Sequence, residues 1–163
     1  MFKSIFFPLV AVAAFITIVG LLGQGKLGFL LSTPKPTPNL SKIKINDIEI
    51  EVLIAKSSGE RAKGLSERSS LPEDQGMIFV FTKDSKPIFW MKDTLIPLDI
   101  IWINDGKIVK IDKMVKPEPG VKDSDLKKYS SQSAVDFVLE VNGGFSDKNG
   151  LKIDQTLSGL EQL

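Results

Sequence analysis

Met77-Ile78-Phe79-Val80-Phe81 is an unbroken apolar run of five residues, set directly after the turn chemistry of Leu71-Pro72-Glu73-Asp74-Gln75-Gly76. A run that short, bounded by turn residues, predicts a strand buried on both faces, and so the centre of the core. Upstream, Ile43 and Ile45 alternate with lysines, Asn46-Asp47 supplies a turn, and Ile48, Ile50, Val52 and Ile54 alternate against Glu49 and Glu51. That pattern predicts a β-hairpin. Ser57-Ser58-Gly59-Glu60 fits a capping box, which predicts a short helix through Arg61, Ala62 and Leu65 towards Arg68. If that helix continues through Gly64, Arg61 and Arg68 project from one face, because seven residues make nearly two turns.

Downstream, residues 88–91 and 99–103 predict further strands, and Asn104-Asp105-Gly106 turns the chain into another over 107–111. Residues 116–132 are polar with two prolines and predict a long surface loop. Val135, Phe137, Leu139 and Val141 then alternate with Asp136 and Glu140, as a strand with one solvated face would. A turn at Gly143-Gly144, a helical turn over 145–149 ended by Gly150, and a last strand over 151–157 complete the pattern. Many short strands without regular strand and helix alternation argue for a small closed or sandwiched β structure and against a doubly wound nucleotide fold.

The amino terminus has a different character. Residues 5–23, from Ile5 to Gly23, form a stretch of 19 residues without a charge. At 1.5 Å per residue a helix of that length matches the roughly 30 Å hydrocarbon core of a bilayer. The expectation is an uncleaved single-pass anchor, with signal-peptide cleavage after Gly25 as the alternative. Residues 32–41 carry prolines at 34, 36 and 38 and predict an extended linker. The expected organisation is an anchor over 1–31, a linker over 32–41 and a β-rich domain over 42–163. Lys3 on one side against Lys26 and Lys35 on the other gives almost no charge contrast. Orientation therefore rests on the ease with which long domains translocate, which favours the domain on the extracytoplasmic side of the cell membrane.

Lys and Arg total 21 against 20 Asp and Glu, so no global field recruits nucleic acid, and none is expected as a partner. The chain contains neither His nor Cys, which excludes thiolate nucleophiles, Ser-His-Asp triads, disulfides and the usual zinc sites. No metal or cofactor is expected. Arginine occurs only at Arg61 and Arg68, and its planar fork suits carboxylate or phosphate in a way that lysine does not. Residues 89–99, Phe-Trp-Met-Lys-Asp-Thr-Leu-Ile-Pro-Leu-Asp, enclose polar groups between aromatic and aliphatic ones and read as a functional rim.

Taken together, Arg61-Ala62-Lys63-Gly64-Leu65, the stretches 71–81 and 89–99, and Phe137-Val138-Leu139-Glu140-Val141-Asn142-Gly143-Gly144 resemble the prokaryotic family known as domain of unknown function 192, DUF192, over about residues 48–157. The resemblance implies a compact, barrel-like, β-dominated α+β fold with one or two short helices, often behind an export signal or anchor, and it implies no function. Three positions depart from the family pattern: Asp93 replaces a usual asparagine, Ser133 a common proline, and Asp154-Gln155 an expected Gly-Asp turn.

The favoured function is a binding module for a cell-envelope glycan or small anionic ligand, its cleft lined by Trp90, Lys92, Asp93 and Thr94, with Arg61, Arg68 and Asp99 contributing. One alternative is a hydrolase working through paired carboxylates drawn from Asp93, Asp99 and Glu140. Another is a protein-interaction domain on a stalk, with 116–132 as its contact surface. The predicted topology has a direct test. In intact cells an external protease is expected to digest the domain; a domain protected until the membrane is permeabilised would reverse the orientation.

Overall fold

The computed structural model describes residues 40–163, so the segment expected to anchor the chain and nearly all of the linker lie outside the described residues. In chain order the elements are β1 (Leu40–Ile45), β2 (Ile48–Ala55), α1 (Ser58–Lys63), β3 (Gln75–Val80), β4 (Leu98–Asn104), β5 (Lys107–Val115), β6 (Phe137–Asn142), α2 (Phe145–Lys148) and β7 (Leu157–Ser158). The strands form one seven-stranded sheet in the order β5-β4-β6-β3-β2-β1-β7. Four residues of the apolar run, Met77 to Val80, form most of β3, at the middle of that order. Only β2 and β3 are parallel, and the chain returns between them through α1; every other pairing is antiparallel.

The sheet curls into a half-barrel because one short segment engages both of its edges. Ile108 donates to the Gln155 carbonyl at 2.9 Å, Asp154 to Ile108 at 2.8 Å, and Leu157 to Gly106 at 2.7 Å. Leu157 and Ser158 then pair with Ile45 and Lys44 of β1. Gly76 of β3 shows how tightly the strands curve: a Cβ there would stand 2.7 Å from the Glu140 carbonyl oxygen of β6.

Strand alternation divides the core in two. On the inner face Ile43, Ile45, Ile50, Val52, Ile78, Ile101, Leu139 and Val141 pack with Phe145 and Leu160. On the outer face Ala55, Met77, Phe79, Leu98, Ile100, Trp102 and Val138 pack with Leu65, Phe89, Met91 and Val135, which come from connecting segments. The sheet is thus covered on both sides, and for this reason β6 buries Glu140 where simple alternation would leave it in water.

Three sequence expectations are modified. The helix after Ser57 has the expected capping box, with Glu60 N–H donating to Ser57 Oγ at 3.2 Å and Ser57 N–H donating to the Glu60 carboxylate at 2.7 Å, but it ends at Lys63. Gly64 takes φ 47° and terminates it, so Arg68 is not on that helix. Residues 88–91 form no strand; Phe89 makes a single antiparallel bridge with Tyr129 of the long loop. The final strand is reduced to the two residues of β7.

Asp99 is fully buried on the inner face. Its carboxylate accepts from the backbone N–H groups of Met114 at 2.8 Å, Gly144 at 3.0 Å and Ser146 at 2.7 Å. The first of these lies where the β4–β5 register shifts between Leu98 and Ile100, with Met114 at φ 49°; the other two open α2. One side chain therefore takes up amides that the broken ladder and an uncapped helix would leave without partners. Asp99→Ala is expected to cost about 3 kcal/mol or more in urea unfolding, since each abandoned donor costs roughly 1–3 kcal/mol. Asp99→Asn, which keeps one acceptor oxygen, should fall between; a change below about 1 kcal/mol for the alanine variant would contradict this role.

Candidate functional site

Residues 82–97 and 116–135 cross the outer face of the sheet without regular structure apart from the Phe89–Tyr129 bridge, and aromatic packing fixes the first of them. Phe89 exchanges two backbone hydrogen bonds with Tyr129, each 2.9 Å. Its ring meets those of Phe79 at 4.9 Å, Trp102 at 5.4 Å and Phe81 at 6.2 Å, all edge to face. Trp102, itself fully buried, donates Nε1–H to Asp112 at 2.8 Å. With Phe89 and Met91 buried beneath it, the segment presents Ile88, Trp90 and Leu95 outward.

Between this cover, α1 and the sheet lies a cavity of about 250 Å³. Phe79, Phe81, Phe89 and Trp90 give it aromatic walls; Arg61, Lys63 and Lys92 bring cations, Ser66 and Thr94 hydroxyls, and Glu140 a carboxyl group. Arg61 is held in place: its Nη1 donates to the carbonyl oxygens of Lys56 and Val80, the latter at 3.1 Å, and its guanidinium stands 5.1 Å from the Phe81 ring centre. Both bonds use Nη1, and no acceptor among the described residues takes a hydrogen bond from Nε or Nη2. Lys92 is paired with Asp123, whose hydrogen bond and charge raise the ammonium pKa above its ordinary value. It is therefore a weaker reader of an external anion than Arg61. Trp90 is 46% exposed, with the Lys128 ammonium 4.0 Å from its ring centre.

Glu140 is the group that sequence reading did not place in this setting. Only 5% exposed, it faces its register neighbours Met77 and Ile100, and no side chain among the described residues offers it a hydrogen bond or a compensating charge. Burial alone raises its pKa from an ordinary 4.5 to about 8, so it is mostly a neutral acid at pH 7. The available signal was one acidic residue inside Phe137-Val138-Leu139-Glu140-Val141; what hid its meaning was the cover over the outer face.

The other expected site residues separate. Trp90, Lys92, Thr94 and Arg61 converge on the cavity. Arg68 instead lines a second hollow with Glu60, Glu67 and Met77, since the helix ends before it. Asp93 is exposed and takes φ 52°, while its carbonyl accepts from Glu67 N–H at 2.7 Å. That left-handed backbone is one that aspartate and asparagine tolerate better than most other residues, so the position has a conformational reason for either. Asp99 lies on the opposite face of the sheet from Glu140, bound to backbone amides. Among the described residues Glu140 is accordingly the single carboxylate lining the cavity, and no group of three or more acidic side chains that could hold a metal gathers.

The family model for DUF192, described as "Uncharacterized ACR", matches residues 41–159. The chain belongs to the DUF192 family. No curated protein is a significant match. Among solved structures, a protein of unknown function from Novosphingobium aromaticivorans DSM 12444 is similar, with 27% identity, a TM-score of 0.68, and coverage of 77% of this chain and 89% of that one. A suggested transcription regulator from Sinorhizobium meliloti 1021 is similar at 26% identity and a TM-score of 0.67, covering 77% of this chain and 97% of that one. The DUF192 region contains every residue of the cavity.

Glu140 sets a pH dependence of stability. An acid whose folded pKa exceeds its unfolded value stabilises the fold fully below about pH 4.5; this contribution is lost as pH rises to about 8. The loss should be on the order of 1 kcal/mol per pH unit across that window. Glu140→Gln is expected to flatten the window and to exceed the parent in stability above pH 8. Parallel urea titrations at pH 5, 7 and 9 decide it, and identical profiles for the two proteins would show that Glu140 is not buried as a neutral acid.

Proposed function

We propose that this DUF192 domain is a binding module of the cell envelope, held outside the membrane by the amino-terminal segment, and that it takes a glycan or small anionic ligand in the cavity beneath Trp90. The observation that carries this reading is the combination of aromatic walls with the pre-positioned, partly unused fork of Arg61. Aromatic faces supply contact area for a ring, and a guanidinium fixed by two carbonyls loses little freedom when it binds a carboxylate or phosphate. A neutral Glu140 adds no repulsion towards an anion.

The paired-carboxylate hydrolase is less well supported, because Asp99 and Glu140 occupy opposite faces of the sheet. The description of the Sinorhizobium meliloti protein as a suggested regulator of transcription is not extended to this chain, whose net charge of +1 provides no field for nucleic acid.

Tryptophan fluorescence and thermal stability of the full chain in detergent micelles, measured against envelope glycans, small carboxylates and phosphates, test the proposal. Trp102 is fully buried and bonded to Asp112, so a saturable change reports Trp90. A rise in melting temperature of several degrees at about 100 times Kd is expected, with Trp90→Ala and Arg61→Ala each weakening binding at least tenfold. Silence across the panel would remove the small-ligand reading.

A further inference from the structure

The outstanding feature of the cavity is a buried carboxyl group that accepts no hydrogen bond from any of the described residues. Two kinds of ligand group could meet Glu140: an acceptor, taking a hydrogen bond from the neutral acid, or a donor cation, drawing it into its ionised form. The walls distinguish them. The Phe79, Phe89 and Trp90 side chains line the same space, and the faces of aromatic rings attract a desolvated cation. Neither carboxyl oxygen accepts from a donor among the described residues, and an ammonium brings three.

Resting on the proposal that Arg61 reads an anionic group, we infer that the ligand also carries a protonated amine, which sits on the Glu140 carboxylate among those rings. The ligand class is therefore a small zwitterion, an amino acid or an amino sugar bearing an acidic group, and Glu140 is its specificity-determining residue. The other charged or titratable groups lining the cavity are Arg61 and Lys63 on the helical side and Lys92 on the cover; the neighbouring strands present the neutral Met77 and Ile100. None of these cations compensates the Glu140 carboxyl in the unliganded protein.

The protons balance in a way that can be measured. At neutral pH the free site holds Glu140 as COOH, and the ligand arrives as an ammonium. The bound state is carboxylate against ammonium, so one proton leaves to the solvent. Binding should then release about one proton per ligand at pH 6.5 and tighten roughly tenfold per pH unit until about pH 8, where the free carboxyl ionises unaided.

The test is calorimetric titration of the full chain in micelles with matched probes, in buffers of differing ionisation enthalpy. Glucosamine 6-phosphate is compared with N-acetylglucosamine 6-phosphate, and phenylalanine with N-acetylphenylalanine; each acetyl compound keeps the anion and loses the cation. In at least one pair the free amine is expected to bind ten or more times tighter and to release the proton. Glu140→Gln should abolish that release and bring the two affinities of the pair together. If the acetylated compounds bind as well as the amines, or affinity falls as pH rises through 8 without proton release, the amine is not read, although Arg61-dependent binding of the anions would still stand. If no probe binds, acetylated or free, both readings fall.

Discussion

The fold turns on a buried carboxylate, that of Asp99, taking three backbone amides from two places at once. Its partners are the irregular point where Met114 interrupts the β4–β5 ladder and the start of α2. An antiparallel sheet that curls must break its ladder somewhere, and each break leaves amides needing an acceptor. Charged hydrogen bonds from one aspartate meet that need and tie the edge strand to the segment following β6. The segment then reaches residues 154–158, which bond β5 on one side and β1 on the other. Curvature and its closure are thus linked through a side chain that has no access to ligand.

The outer face follows a different rule. There the curled sheet is covered by irregular chain, anchored by the rings of Phe79, Phe89 and Trp102 and by the two bonds between Phe89 and Tyr129. Loop segments fill a surface less evenly than a second sheet, because their side chains do not repeat at the spacing of the strands beneath. The space left over beside α1 is the cavity, and Phe79 and Phe89 of this aromatic cluster form part of its wall. Packing that holds the cover down and surface that could hold a ring are supplied by the same residues.

Much of this was legible in the sequence because it depended on local rules. The hairpin of β1 and β2, the Ser57 capping box, the buried run at β3 and the Asn104-Asp105-Gly106 turn all express periodicity or turn chemistry within a few residues. What failed to show depended on tertiary structure. Gly64 ends the helix early and sends Arg68 elsewhere, a choice its sequence neighbours leave open. Residues 88–91 have strand composition but meet only Tyr129, so they remain a bridge. The stretch 89–99 reads as a rim, and the structure divides it: Trp90, Lys92 and Thr94 reach the cavity, whereas Met91 enters the core and Asp99 the opposite face. Glu140 was the hardest to read, since alternation on β6 assigns it to water until the cover is known.

That misreading identifies the functional position more strongly than a correct one would have. An unpaired carboxyl on a covered sheet face lowers stability throughout the neutral pH range, and a glutamine or an apolar side chain of similar size would avoid the cost. Asp99, equally buried, contradicts no such rule because its amides satisfy it. The two acids, on adjacent strands and opposite faces, therefore separate cleanly by what surrounds them. One completes the protein's own hydrogen bonding, and the other leaves a demand that none of the described residues meets, in the place where aromatic walls and the Arg61 fork also await a partner. When local consistency fails at a position around which unused binding capacity gathers, a ligand accounts for both.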